Sequence, residues 1–326
     1  MNVKMDRWRR ALGGAAVAAT LALGACGGGD QVEPFEPNRA IAFGDESSVL
    51  DDSASASNGR KYSINATVSE TDPTLNCQLL PIWIQVVASR YGLTFPQCNN
   101  GTSAVVSPTG RIRAVPGAKV ADLSAQIDAQ QAESAFTSKD LVTVLIGQND
   151  VLAQYAQYET LGEAQLVAAV EAAGVVLGNQ VNRIADAGGK VLVSTIPDLG
   201  LTPFAFDERK AHTDVDRAAL LTRLTQRFNA SLRATIVNDG RKIGLILLDE
   251  YLQIIVRVVN GGGFSNVFDV ACDTTKAPTL PECTTLTLVS GAAPLTYLWA
   301  DKTHLSAGGQ QALGSLGIAR AQNNPF

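Results

Sequence analysis

"LVTVLIGQND" (residues 141–150) decides the fold. Its first six residues are apolar or β-branched on both faces of an extended chain, and Gly147 then breaks the run. A strand with no polar face belongs inside a parallel sheet, where helices cover both sides. "GKVLVSTIP" (189–197) and "IGLILLD" (243–249) repeat the pattern, and a shorter strand is expected over 39–44. Between these runs, apolar residues recur at helical spacing over 79–92, 118–131, 162–187, 214–238 and 305–321. In the second of these helices Val120, Leu123 and Ile127 share one face. Strands alternating with helices predict an α/β domain with a doubly wound parallel sheet. Residues 260–298 read as a loop-rich insert. Ligands of such folds bind beyond the carboxyl ends of the strands. The informative residues are therefore those that follow each strand.

The chain begins with a basic head (Lys4, Arg7, Arg9, Arg10), an apolar stretch and then small residues before Cys26. The apolar stretch falls short of the roughly 20 residues that a bilayer span requires and reads as a secretory signal. Leu23 to Cys26, "LGAC", looks like a bacterial lipoprotein processing site. The likeness implies cleavage before Cys26, lipidation of its sulfur and membrane anchoring, with an outer-membrane, periplasmic or cell-surface location. Residues 26–38, rich in Gly and Pro, read as a flexible tether to a domain spanning 39–326. Loss of residues 1–25 leaves 22 basic against 30 acidic residues and no basic cluster. That balance argues against nucleic acid as a partner.

Four further cysteines, Cys77, Cys98, Cys272 and Cys283, make an even number in an exported chain and predict two disulfides. Three connectivities are open; the nearest-neighbour pairs close the shortest loops and are the expected ones. With no CxxC spacing and only two histidines, a metal site is not expected. No GxGxxG loop supports a flavin or nucleotide cofactor. Trp83 and Trp299 read as core residues, and His212, in "DERKAHTDVD", as a solvated one.

Four turns carry the chemistry. Gly44-Asp45-Glu46-Ser47-Ser48 follows the first strand, and Gly117 sits in the turn "RAVPGAKV" (113–120). "GQND" (147–150) follows the strand at 141, and "DKTHL" (301–305) precedes the last helix. In order and spacing they resemble the SGNH/GDSL hydrolases, serine esterases on a flavodoxin-like αβα sandwich. The resemblance implies ester or acylated substrates and no cofactor. It assigns Gly117 N–H and the Asn149 side chain as oxyanion donors, His304 as the base and Asp301 as the group that orients it. Taken alone, Asp301 also reads as a helix cap and Asn149-Asp150 as an Asx turn.

The departure lies in the first block, where the family has Gly-Asp-Ser and this chain has Gly44-Asp45-Glu46. Ser47 replaces the missing nucleophile only if the turn holds an extra residue, and Ser48 is placed still worse. A carboxylate attacking an ordinary ester gives an anhydride, so Glu46 is a poor nucleophile there. It is suited instead to activating water, or to pairing with His304 and holding it protonated. Two expectations follow. One is an ester hydrolase working through Ser47 or a Glu46-activated water. The other is a catalytically degenerate lipoprotein that binds a ligand or a cell-envelope partner.

Overall fold

The computed structural model describes residues 34–52, 59–100, 104–258 and 261–323. The expected signal segment, Cys26 and the tether up to residue 33 lie outside the described residues. Phe35–Phe326 make up one compact unit.

The apolar runs form the strands for the expected reason: they have nothing to offer water on either face. β1 (Arg39–Gly44), β2 (Arg111–Ile112), β3 (Asp140–Leu145), β4 (Lys190–Ser194) and β5 (Ile243–Ile246) pair in parallel in the order β2-β1-β3-β4-β5. That is the flavodoxin-like order, with its switch point between β1 and β3. Ile41, Phe43, Val142, Val144 and Leu192 are fully buried. Each side chain of this size withdrawn from water contributes about 1.5–3 kcal/mol. Helices α1 (Trp83–Ser89) and α8 (Ala307–Asn323) pack together on the face carrying Leu192 and Ile246. On the opposite face lie α2 (Leu123–Glu133), α4 (Glu163–Asp186) and α6 (Arg217–Thr235), and the α4–α6 pairing is the most extensive helix contact. The remaining helices are α3 (Gln148–Tyr155), α5 (Pro203–Ala211) and α7 (Leu248–Ile255).

The structure departs from the sequence reading in several places, of which three bear on the site. The helix expected over 79–92 is confined to Trp83–Ser89, because Pro81 and the extended Ile82 delay its start. The strand expected over 243–249 stops at Ile246, and Leu248 opens α7; apolar residues alone do not separate a buried strand from a buried helical turn. The insert is not pure loop: Asn266–Val270 pairs in parallel with Tyr297–Trp299. It is pinned next to the site, since Ala271 and Cys272 donate backbone N–H groups to Trp299 O (3.0 Å) and Ala300 O (2.9 Å). Both disulfides link nearest neighbours, Cys77–Cys98 and Cys272–Cys283, with Cα separations of 5.7 and 5.8 Å.

Gly44 ends β1 at φ +136°, and a Cβ there would lie 2.0 Å from the carbonyl oxygen of Leu145 on β3. Any side chain at this position forces the two strand ends apart. Gly44→Ala is therefore expected to destabilise the fold by about 3 kcal/mol or more. Urea denaturation of the variant beside wild type measures it.

Candidate active site

The β1–β3 pairing runs in register from Arg39↔Asp140 to Gly44↔Leu145, so both strands release the chain at the same level. From β1 it enters a 3₁₀ turn, Glu46–Ser48, whose first N–H groups are capped by Asp45; Ser47 N–H donates to Asp45 Oδ1 at 3.0 Å. From β3 the chain bends at Gly147, φ +123°, and α3 begins. A Cβ on Gly147 would strike the Phe228 ring at 2.1 Å, so only glycine fits between β3 and α6. Asn149 and Asp150 occupy the first turn of α3. Asp150 accepts from Val120 N–H at 2.9 Å and ties α3 to the Gly117 turn.

Three of the expected site residues meet the side chain of Glu46, and a fourth, Asp301, stands behind His304. Gly117 donates its N–H to Glu46 Oε2 at 2.8 Å. Asn149 Nδ2 donates to the same oxygen at 3.1 Å and to Oε1 at 3.3 Å, and Ala118 O accepts from Nδ2 at 3.1 Å, which fixes the amide. His304 Nε2 stands 3.0 Å from Glu46 Oε1. His304 Nδ1 lies 2.9 Å from each oxygen of Asp301. Asp301 also accepts the N–H groups of Thr303 (2.9 Å) and His304 (2.7 Å), so it caps the turn and orients the ring together. Gln148 Nε2 reaches Thr303 O at 3.3 Å and links the two arms.

The serines stand elsewhere. The turn carries no extra residue, and a 3₁₀ turn rotates successive side chains by about 120°. Glu46 takes the position facing His304, and Ser47 is directed away from it toward Asp45. Ser48 is fully buried, and its Oγ accepts from Trp83 Nε1 at 3.0 Å, which is a packing role. Trp83 and Trp299 are both fully buried, as read from the sequence. His212 sits 3.5 Å from Glu208 on the surface of α5. Sequence reasoning missed Asp45 as an electrostatic neighbour, although its place directly before Glu46 was the available signal. Among the described residues no group of three or more His, Cys, Asp and Glu side chains is disposed to hold a metal ion.

The charges are set by this packing. Burial acts to lower the pKa of His304, but hydrogen bonds to Asp301 and Glu46 outweigh it and push the ring up to about 10. Burial acts to raise Glu46; the His304 and Gly117 hydrogen bonds outweigh it and bring the carboxyl down to about 2. Asp301 is also lowered, by His304 against the effect of burial. Asp45 goes the other way, to about 7, because burial and then the adjacent Glu46 charge disfavour its ionised form. At neutral pH the site is thus an imidazolium held between two carboxylates. It can donate a proton, but it cannot accept one while Glu46 stays ionised.

The pH consequences have definite signs. The raised His304 contributes stability fully below its ordinary value of 6.5, and this is lost as pH rises through about 10. The depressed Glu46 contributes above its ordinary 4.5, and this is lost as pH falls through about 2. Asp45, raised to about 7, takes stability away as pH climbs from its ordinary 3.8 toward that value. Proton NMR of the His304 ring is expected to show titration near pH 10 in wild type and well below that in Glu46→Gln. Thermal midpoints should decline between pH 7 and 10, less steeply in that variant.

Comparison with known proteins matches residues 52–316 to the GDSL-like Lipase/Acylhydrolase family, four-fifths of the chain. The match starts after the 44–48 turn and so does not depend on the block that departs. No curated protein sequence matches the chain significantly. Solved structures similar in outline include a lipolytic protein of the G-D-S-L family from Veillonella parvula. It has 10% identity and a TM-score of 0.41, over 87% of this chain and 96% of that one. The acetylxylan esterase Axe2 from Geobacillus stearothermophilus has 12% identity and a TM-score of 0.42, over 90% of this chain and 97% of that one. With the strand order, the strand-end convergence and the family match together, the chain belongs to the GDSL-like lipase/acylhydrolase family, whose chemistry is the hydrolysis of carboxylic esters.

Proposed function

We propose that this chain is an exported, lipid-anchored GDSL-family protein in which Glu46 closes the serine route to ester cleavage. In the mature protein Cys26 carries the anchor, and the site faces the periplasm or the cell exterior. The observation that carries the reading is the seat of the Glu46 carboxylate, between His304 on one oxygen and Gly117 and Asn149 on the other. A serine acylated by its substrate runs Cβ–Oγ–C=O. Glutamate runs Cβ–Cγ–Cδ=O, with the same length and shape. Glu46 Oε2 therefore stands where an acyl oxygen would be held, and Oε1, beside His304, takes the place of the first atom of the acyl chain. While Glu46 occupies these places, no ester carbonyl can use the same donors. The protonated His304 is likewise unable to activate a hydroxyl. On this reading a bound ester or acylated ligand is held at the rim and is not turned over by the family's serine mechanism.

A second reading is supported by the completeness of the relay. Gly117, Asn149, Asp301 and His304 keep the geometry that hydrolysis uses, and a site that only binds has no chemical need for it. On that reading the protein cleaves carboxylic esters through Ser47 or a water that Glu46 activates.

The two readings part on one assay. Glu46→Ser is expected to hydrolyse p-nitrophenyl acetate about 100-fold or more faster than wild type, the range that positioned base and nucleophile supply. Adding His304→Ala should abolish the gain, and a fluorophosphonate probe should label only the substituted position. Wild-type turnover matching the variant, with the probe on Ser47, would sink the first reading and establish the second. Separately, Cys26→Ala should move the protein from the membrane fraction to the soluble fraction of the envelope, read by fractionation and immunoblot.

A further inference from the structure

The relay that surrounds Glu46 is aimed at a particular atom. In an acyl-transfer site the oxyanion donors hold the oxygen of the carbon that is to be attacked, and the base stands beside the incoming or leaving oxygen. Here the donors Gly117 N–H and Asn149 Nδ2 hold Glu46 Oε2, at 2.8 and 3.1 Å, and His304 Nε2 stands 3.0 Å from Oε1. The carbon so presented is Cδ of Glu46. The machinery is arranged to hydrolyse an ester of Glu46 itself.

Such an ester arises when a carboxylate oxygen attacks a saturated carbon that bears a leaving group. Attack at a saturated carbon needs no oxyanion hole, and it yields a stable ester where attack on a carbonyl would yield an anhydride. We propose that Glu46 is a carboxylate nucleophile toward alkyl electrophiles, and that Asp301–His304, Gly117 and Asn149 hydrolyse the alkyl ester it forms. This rests on Glu46 occupying the acyl position, the reading given above.

The position of His304 narrows the substrate class. In-line displacement puts the leaving group opposite the nucleophile, while the His304 proton lies on the nucleophile's own side. None of the three groups that hold Glu46 is an acid placed to protonate a group departing on the opposite side, which favours a substrate whose leaving group departs as a stable anion. A small alkyl halide meets this requirement; an epoxide or an alkyl ether does not. On the far side of Gly117 from Glu46 the turn borders a cleft of about 500 Å³, where Val115, Pro116, Ala118, Ala125 and Ala129 are interrupted by Arg113, Asp122 and Gln126; the alkyl part is therefore expected to be small.

The steps balance. Oε1 forms a bond to the alkyl carbon as the carbon–halogen bond breaks, and the halide leaves with that electron pair. Glu46 is now neutral, and one of the two acceptors that held the His304 proton is gone. The imidazolium releases its proton to solvent. Neutral Nε2 then takes a proton from water as the water oxygen bonds to Cδ, and the charge that develops on Oε2 is held by Gly117 and Asn149. Collapse restores the carbonyl and breaks Cδ–Oε1, and the alcohol leaves with the proton from His304. Glu46, left as the acid, returns its proton to His304. The net reaction is alkyl halide plus water to alcohol, halide and a proton. Water oxygen ends in the protein, and a protein oxygen ends in the alcohol.

That oxygen transfer is the test. The full-length protein is incubated with 1-bromobutane in ¹⁸O-water, with bromide release followed and the peptide carrying Glu46 read by mass spectrometry. Expected are ¹⁸O entering Glu46 with turnover until both carboxyl oxygens are exchanged, and first-turnover butanol free of ¹⁸O. His304→Gln, whose amide can still donate to Glu46, should accumulate a butyl ester mapped to Glu46; Glu46→Gln should give neither adduct nor bromide. No ¹⁸O in wild type and no adduct in a folded His304→Gln protein overturn the inference, as does butylation mapped only to other residues. If those negatives appear while Glu46→Ser gains esterase activity, the inference falls alone. If Glu46→Ser gains nothing in a folded protein, the acyl-position reading falls as well.

Discussion

The pairing of β1 with β3 is the constraint on which the rest of the molecule depends. It is fixed at both ends by different physics. At the entry, Arg39 meets the buried Asp140 with two nearly parallel bonds, Nε to Oδ1 at 2.9 Å and Nη2 to Oδ2 at 2.6 Å. A charge pair of this kind is geometrically exacting and tolerates no slip by one residue. At the exit, Gly44 lies against the Leu145 carbonyl at a distance no side chain allows. Gln126 closes the same end, accepting from Gly44 N–H and donating to Gly44 O, both at 2.9 Å. With register and level set, the turn after β1 and the first turn of α3 face each other, and the carboxylate and the amide meet without further adjustment.

Much of this was legible in the sequence, for reasons that can be named. Strands β3, β4 and β5 are buried on both faces, so their composition is uniform and their existence is plain. α4 and α6 are long enough for their period to show. β2 was not legible: it is two residues long, Arg111–Ile112, and is a strand only because β1 offers it an edge. α5 was missed for another reason. Its polar face, Asp207 to Lys210, resembles a solvated loop, and only Pro203 after the capping Thr202 marks a helix start. At the site, Gly117, Asn149, Asp301 and His304 were singled out because four weak signals agreed in order, and the fold brings these residues together. The seat of Glu46 was open until the geometry of its turn was known. Sequence spacing gives a side chain's neighbours along the chain but not the rotation at which a one-turn helix presents it.

The charge state of the site follows from one substitution of residue type. A hydroxyl beside His304 would leave the ring with a single anionic partner. A carboxylate supplies a second, 3.0 Å away, and the ring keeps its proton across the physiological range. The cost appears one residue earlier. Asp45, buried and adjacent to the new charge, becomes reluctant to ionise. The site thus gathers Asp45, Glu46, Asp301 and one imidazole around a single turn, and their protons are shared unequally.

The insert that carries Cys272 and Cys283 bears on how this arrangement is held. Its backbone is bonded to Trp299 and Ala300, and Ala300 N–H in turn donates to the carbonyl of His304 at 2.8 Å. The arm that presents the histidine is therefore braced by a segment whose own closure is a covalent, oxidative event. The oxidation state of two thiols distant from the ring thus sets how firmly the histidine's backbone is held, through two successive main-chain hydrogen bonds.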